Sequence, residues 1–428
     1  MNTTGSERAR SFAYRLALVF IFTVPWEAAI HVGAIGRLSK ALGLVAGVAW
    51  LVSVLARGKV RRPDALHLAY LAFLLWNGLT FFWSLDPTAS LGGFLRATQI
   101  LGMLLIIWDL VDSSEAIEAA LQAYVLGAYV SVASIVASFI TETVEKFPAH
   151  QRFQALGFEV DGIAFIVAAA APAAWYLAVR PSSRRRSPLI VMMDVAYFPI
   201  ASFALVLTGT RGAVLASIPT VVFVLWSLRQ IQGAKRIVAP AVLVLAVVLV
   251  ASFSPEGMLD RIGSIRHELT GSGVATGNYG EGNIGGRSAT WSESLAAFVE
   301  RPFAGVGIDA HREATPLGKE AHNLYLSVLA ETGVVGFLLF SWVIWTVFAR
   351  IRRLTGWKRR YWFAQLLLLA IGAMSLSLED SKSVWIILSL ALASAAATDE
   401  ASAIVTPRER EPISVAASRS PGGDSSAP

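Results

Sequence analysis

The sequence predicts an all-α polytopic membrane protein of about twelve transmembrane helices with one large extramembrane loop. Three observations predict it. Hydrophobic residues make up 55% of the chain and charged residues only 15%, outside the range of soluble domains. Apolar runs recur along almost the whole length. Basic residues collect in alternate connections between those runs.

The runs lie at 12–30, 37–56, 65–83, 91–111, 116–140, 162–179, 189–208, 211–228, 237–253, 321–349, 361–377 and 383–397. Most reach the roughly 20 residues that a helix needs to cross the hydrocarbon core; the last two are short. The first carries Pro25-Trp26-Glu27 and no small-residue cleavage site follows it, so it reads as a retained span and not a signal peptide. The polar stretch from Ser254 to Glu320 is the large loop. Residues 1–398 form one transmembrane domain, and 399–428, rich in Ser, Ala, Pro, Gly and Arg, read as a disordered tail. No internal repeat of the kind that marks many secondary transporters is visible.

Of the 36 basic residues, 23 fall on one side: the N-terminus, Arg57–Arg62, Arg180–Arg186, Arg229–Arg236, Arg350–Arg360 and the C-terminal tail. The positive-inside rule then puts both termini in the cytoplasm and the 254–320 loop outside. The basic runs are topology signals and lipid contacts, and nucleic acid is not an expected partner. The chain has no cysteine, which excludes disulfides, thiolate metal sites and a cysteine nucleophile.

The candidate chemistry sits on the outer side. Thr208-Gly209-Thr210-Arg211-Gly212 is too short for a free loop, so the chain turns sharply there. An arginine at membrane depth is costly unless paired or facing a wet cavity; flanking glycines and a helix start suit Arg211 to a phosphate group. Its bland reading is a snorkelling side chain. Arg287 closes the Gly-rich run 271–286. It opens the amphipathic stretch 287–299, whose Trp291, Leu295 and Phe298 would lie along the membrane interface. Alone, Arg287 is an ordinary solvated arginine. His322 stands at the mouth of the next span, where an imidazole can act as a base or donate to phosphate, or be merely structural. Asn323, Tyr325, Arg96 and Arg152 are secondary substrate-binding candidates, and Asp161, Glu379, Asp380 and Lys382 could pair structurally. Glu331, inside a span beside Gly333 and Gly336, reads as a helix-packing residue. No metal site is expected, since His311 is distant in sequence from His322 and no carboxylate pair flanks the latter at ligand spacing.

Three segments in order, Leu207-Thr208-Gly209-Thr210-Arg211-Gly212-Ala213, then Gly286-Arg287 ahead of Trp291, then His322-Asn323-Leu324-Tyr325-Leu326 with Glu331-Thr332-Gly333-Val334-Val335-Gly336, resemble the O-antigen ligase and O-antigen polymerase superfamily. The likeness runs from about 200 to 345, and before that rests on topology. Two departures stand: Thr210 where many relatives have Ser, and no Asn-rich pattern after Arg152. The resemblance implies a glycosyltransferase-C-like fold in a bacterial inner membrane with the large loop in the periplasm. It implies a metal-independent, inverting glycosyltransferase without a cofactor, using a polyprenyl-diphosphate-linked glycan as donor. The acceptor would be a sugar hydroxyl of lipid A core in a ligase, or a second lipid-linked glycan in a polymerase. Arg211 and Arg287 would hold the diphosphate, and His322 would bind beside it or activate the hydroxyl. A transporter or flippase, and an inactive scaffold, are the rival classes.

Overall fold

The structure, a computed structural model, describes residues 3–33, 36–143, 152–155, 157, 159–180, 186–233, 235–255 and 284–405. The 271–283 run, His150, Lys146, and the tail beyond 405 lie outside the described residues.

The described chain is almost wholly helical. In order it forms α1 (Thr3–Thr23), a 3-10 turn (Val24–Ala29), a two-stranded hairpin pairing His31 with Arg37, α2 (Leu38–Arg57), α3 (Ala65–Thr80), α4 (Pro87–Leu110), α5 (Ser114–Ile140), α6 (Val160–Val179) and α7 (Pro188–Thr208). There follow α8 (Arg211–Ala216), α9 (Ile218–Leu228), α10 (Lys235–Phe253), α11 (Ile284–Glu300), α12 (His311–Ala314), α13 (Leu324–Ile351), α14 (Gly356–Gly372) and α15 (Lys382–Val405). Eleven helical segments are long and apolar enough to span a membrane, with α8 and α9 together making one. The twelfth expected span is α14, whose 17 residues and basic first turns leave it short of that standard although it packs within the bundle. The last helix continues to Val405, past the expected start of the tail.

Alternate connections therefore gather at opposite ends. Among the described residues, one end carries the links 58–64, 111–113, 186–187, 229–233 and 352–355, and is called here the basic end. The other carries 24–33, 36–37, 81–86, 141–143, 152–155, 209–210, 254–255, 301–323 and 373–381, the loop end.

At the centre stands α6, an alanine-rich helix buried over nearly its whole length. Small side chains let α5, α7, α8 and α14 approach its backbone closely. Pro172 interrupts its hydrogen-bond ladder. Tyr197 Oη and Gln365 Nε2 donate to the nearby Val167 and Ala169 carbonyls at 3.1 Å each, tying α7 and α14 to this stretch.

A second interruption shapes the loop end. Within α13, Gly333 adopts φ +66° and ψ −172°, which breaks the helix two residues after Glu331. The carbonyls of Ala330 and Glu331 are taken instead by the backbone N–H groups of Val306 and Gly307 at 3.0 and 2.9 Å, while Val334 N–H donates to the Pro302 carbonyl at 2.8 Å. A Cβ on Gly333 would lie 2.3 Å from the Phe303 carbonyl oxygen, so close approach as well as positive φ requires glycine. Glu331 thus sits where the loop docks onto its span, in keeping with the packing role read from the sequence.

Candidate active site at the loop end

The turn after α7 is built by its own residues. Gly209 ends the helix in the left-handed region, at φ +60°, and its N–H donates to the Val206 carbonyl at 2.9 Å. Thr210 follows in extended conformation and Arg211 is the first residue of α8. A Cβ on Gly212 would come within 2.4 Å of Ser375 Oγ, so the turn presses against the 373–381 connection.

Around this turn the chain collects charge. Arg152, almost fully buried, donates from Nε to the Thr208 carbonyl at 3.0 Å and from Nη2 to Thr210 Oγ1 at 2.9 Å. The same guanidinium pairs with Asp161 at the start of α6. Thr210 Oγ1 donates to Asp161 Oδ1 at 3.0 Å, and Arg287 reaches Asp161 Oδ2 at 3.3 Å from the first turns of α11. Asp161 is therefore a hub that draws Arg152, Arg287 and the turn of Arg211 together. The described segment 152–155 is held there by the Phe153 N–H, which donates to the Leu207 carbonyl at 3.1 Å.

His322 reaches the same ground by a different route. One helical turn beyond Arg287, Trp291 Nε1 donates to the Ala321 carbonyl at 3.1 Å. The Leu324 N–H donates to the Ala373 and Leu376 carbonyls at 2.8 and 3.1 Å, seating the mouth of α13 on the connection that also meets Gly212. His322 lies between these two anchors with φ +46°, a left-handed conformation that a β-carbon disfavours. Strain of this kind persists only when the surroundings over-determine it, and it clusters at functional positions.

The secondary candidates separate. Asn323 Oδ1 caps α13, accepting from the N–H groups of Tyr325 and Leu326 at 3.1 and 3.2 Å. Tyr325 Oη donates to the Ala370 carbonyl at 3.0 Å and the side chain lines a groove between helices. Arg96 pairs with both Asp309 and Asp380, so its charge is compensated twice over. Of the expected interfacial face, Leu295 is exposed, together with Val299, whereas Trp291 is bonded inward and Phe298 is half-buried; Thr290, Ser294 and Ala297 face in. The reason is that α11 packs on α13, and its small and hydroxyl residues make the closer contact.

Two groups gain weight beyond their sequence reading. Asp161 was visible only as a possible partner of Arg152. Glu379 accepts from Ser327 Oγ at 2.9 Å, and burial, with Asp380 and Glu320 nearby, pushes its carboxyl up to about 7. His311 is committed elsewhere: its Nδ1 donates to the Lys319 carbonyl at 3.1 Å, Ser294 Oγ lies 2.7 Å from Nε2, and burial holds its pKa below the ordinary value.

An anion of two or three oxygens is the natural guest of such a place. Arg152 and Arg287 converge on one carboxylate, and guanidinium forks match phosphate oxygens. No curated protein sequence matches the chain. Residues 196–341 do match a family model, that of O-antigen ligase; the segment holds Arg211, Arg287 and His322, while Arg152 and Asp161 precede it. By that match this part of the chain belongs to the O-antigen ligase and polymerase superfamily.

Proposed function

We propose that the protein is an O-antigen ligase-type glycosyltransferase of the bacterial inner membrane. It moves a glycan from a polyprenyl-diphosphate donor to a sugar hydroxyl of lipid A core. The excess of Lys and Arg at the basic end supports cytoplasmic termini and a site opening to the periplasm. The observation that carries the reading is the sharing of Asp161 by Arg152, Arg287 and Thr210 beside the Arg211 turn, within a chain whose matched segment is O-antigen ligase.

In the proposed reaction the acceptor oxygen attacks the anomeric carbon and forms the new glycosidic bond. The bond from that carbon to the donor phosphate breaks, and the lipid diphosphate leaves with the electron pair. Arg211 and Arg287 stabilise the negative charge that grows on the leaving phosphate, the compensation that a divalent ion supplies in many other transferases. His322 accepts the hydroxyl proton. Inversion at the anomeric carbon follows from a single displacement.

Reconstitution tests this. Purified protein is given polyprenyl-diphosphate glycan with and without lipid A core, in excess chelator. Glycan on the core is the expected product. Longer lipid-linked chains without core would assign the protein to the polymerases instead, and no transfer by well-folded protein would return the transporter reading.

A further inference from the structure

A groove of about 1250 Å³ runs along α14 between α9, α13 and α15. It exceeds the roughly 300–1,000 Å³ of ordinary small-molecule pockets. Its walls are apolar almost throughout, with Phe223, Phe337, Ile344 and Leu388 among them. Tyr325, Ala373 and Glu379 mark its loop end; Thr355, Gly356, Arg359 and Arg360 mark its basic end. The length of α14, about 25 Å at 1.5 Å per residue, separates the two, so a chain entering at the basic end meets apolar side chains along its whole course.

The polar groups at the two mouths differ in sign. At the loop end stands the Glu379 carboxyl. At the basic end Arg359 and Arg360 are both exposed, and among the described residues neither has a carboxylate within ion-pair distance. Arg360 lies over the Trp226 ring, 3.8 Å from its centroid, and Arg359 over Phe363 at 5.5 Å. The rings orient two neighbouring guanidiniums at the mouth of an apolar slot, with Trp226 and Trp345 placed as interfacial aromatics are. An anionic head joined to long apolar chains complements both features, whereas a zwitterionic head brings its own cation to two arginines.

We propose that this groove binds an acidic phospholipid, its phosphate held by Arg359 and Arg360 and its acyl chains lying between α9, α13 and α14. Basic pockets between membrane helices take such heads. The head site lies at the opposite end of the bundle from the Asp161 hub, while the groove's loop end, at Leu324, Tyr325 and Ala373, meets the mouth of α13; the head site does not depend on the transferase reading.

The test uses the full-length protein, delipidated in detergent, and thermal shift titrations with phosphatidylglycerol and with phosphatidylcholine of the same acyl chains. The wild type is expected to bind phosphatidylglycerol about tenfold more tightly or better. R359Q/R360Q is expected to lose that preference. R8Q/R15Q, which removes two exposed arginines of α1 outside the groove, is expected to keep it. Leu367→Trp, which fills the groove from an exposed position, is expected to weaken both lipids. Equal affinity for the two lipids in the wild type would overturn the proposal. So would an unchanged preference in R359Q/R360Q, an equal loss in both arginine pairs, or unaltered binding by Leu367→Trp, which would mean that the acyl chains lie elsewhere.

Discussion

Two sets of arginines, one at each end of the bundle, are held in different ways. At the basic end Arg57 is matched with Asp109 at 2.7 Å, Arg180 with Glu118, Arg186 with Asp194 at 2.8 Å, and Arg350 with Asp64 at 2.5 Å and Asp399 at 3.4 Å. At the loop end, beside the Arg211 turn, Arg152 and Arg287 divide a single carboxylate, Asp161. A matched pair at membrane depth cancels its charge and fastens two helices. Arginines that meet at one acid are held close to one another, an arrangement that suits an anion with several oxygens. Burial alone does not separate the two, since Arg57 and Arg152 are both nearly inaccessible.

Substitutions should break the comparison in different currencies. Asp109→Ala leaves Arg57 buried without its partner and removes the acceptor of the Arg61 N–H and Trp50 Nε1. Stability should fall by about 3–5 kcal/mol, read as a lower denaturation midpoint, with transfer per folded molecule unchanged. Arg211→Ala and Arg287→Ala should do the reverse: transfer falls by about 10²–10³-fold and the midpoint barely moves. A large loss of stability in the arginine variants with normal turnover would make the loop end structural after all.

His322→Gly sharpens the point. Glycine accepts the left-handed backbone, so the variant should be as stable as the wild type or slightly more so, while transfer drops by roughly 10²-fold or more. A smaller effect is expected from Glu379→Gln. Burial raises the Glu379 carboxyl to about 7 in the folded protein, above the unfolded value near 4.3. Its contribution to stability is therefore present below pH about 4 and is lost as pH rises through about 7. The melting temperature of Glu379→Gln should fall less than that of the wild type across that window. Smallest is Asn323→Ala, which should cost about 1 kcal/mol of stability through loss of the α13 cap. A far larger loss of transfer than of stability there would make Asn323 a substrate group.

Hydropathy made most helices legible because burial in lipid demands long apolar runs. It misjudged α14, expected over 361–377 but formed by Gly356–Gly372. Lys358, Arg359 and Arg360 interrupt the apolar window, yet their long stems let them lie within a helix that begins just after Thr355. The break at Gly333 left no trace in the pattern, since a glycine among apolar residues reads as ordinary helix packing. Arg211, Arg287 and His322 were legible by type and by position at the edges of spans. The role of Asp161 was not: it is 126 residues from Arg287 in sequence, and only the fold brings α6 and α11 together.

The most direct measurement is the affinity of glycan-free polyprenyl diphosphate for purified protein in chelator, compared among the wild type, Arg211→Ala, Arg287→Ala and, as a control at the basic end, Arg10→Ala, which removes the partner of Asp112 at 2.6 Å. Binding should weaken at least tenfold in both loop-end variants and stay unchanged in Arg10→Ala. Equal affinity in all four proteins would contradict a diphosphate site at the shared carboxylate.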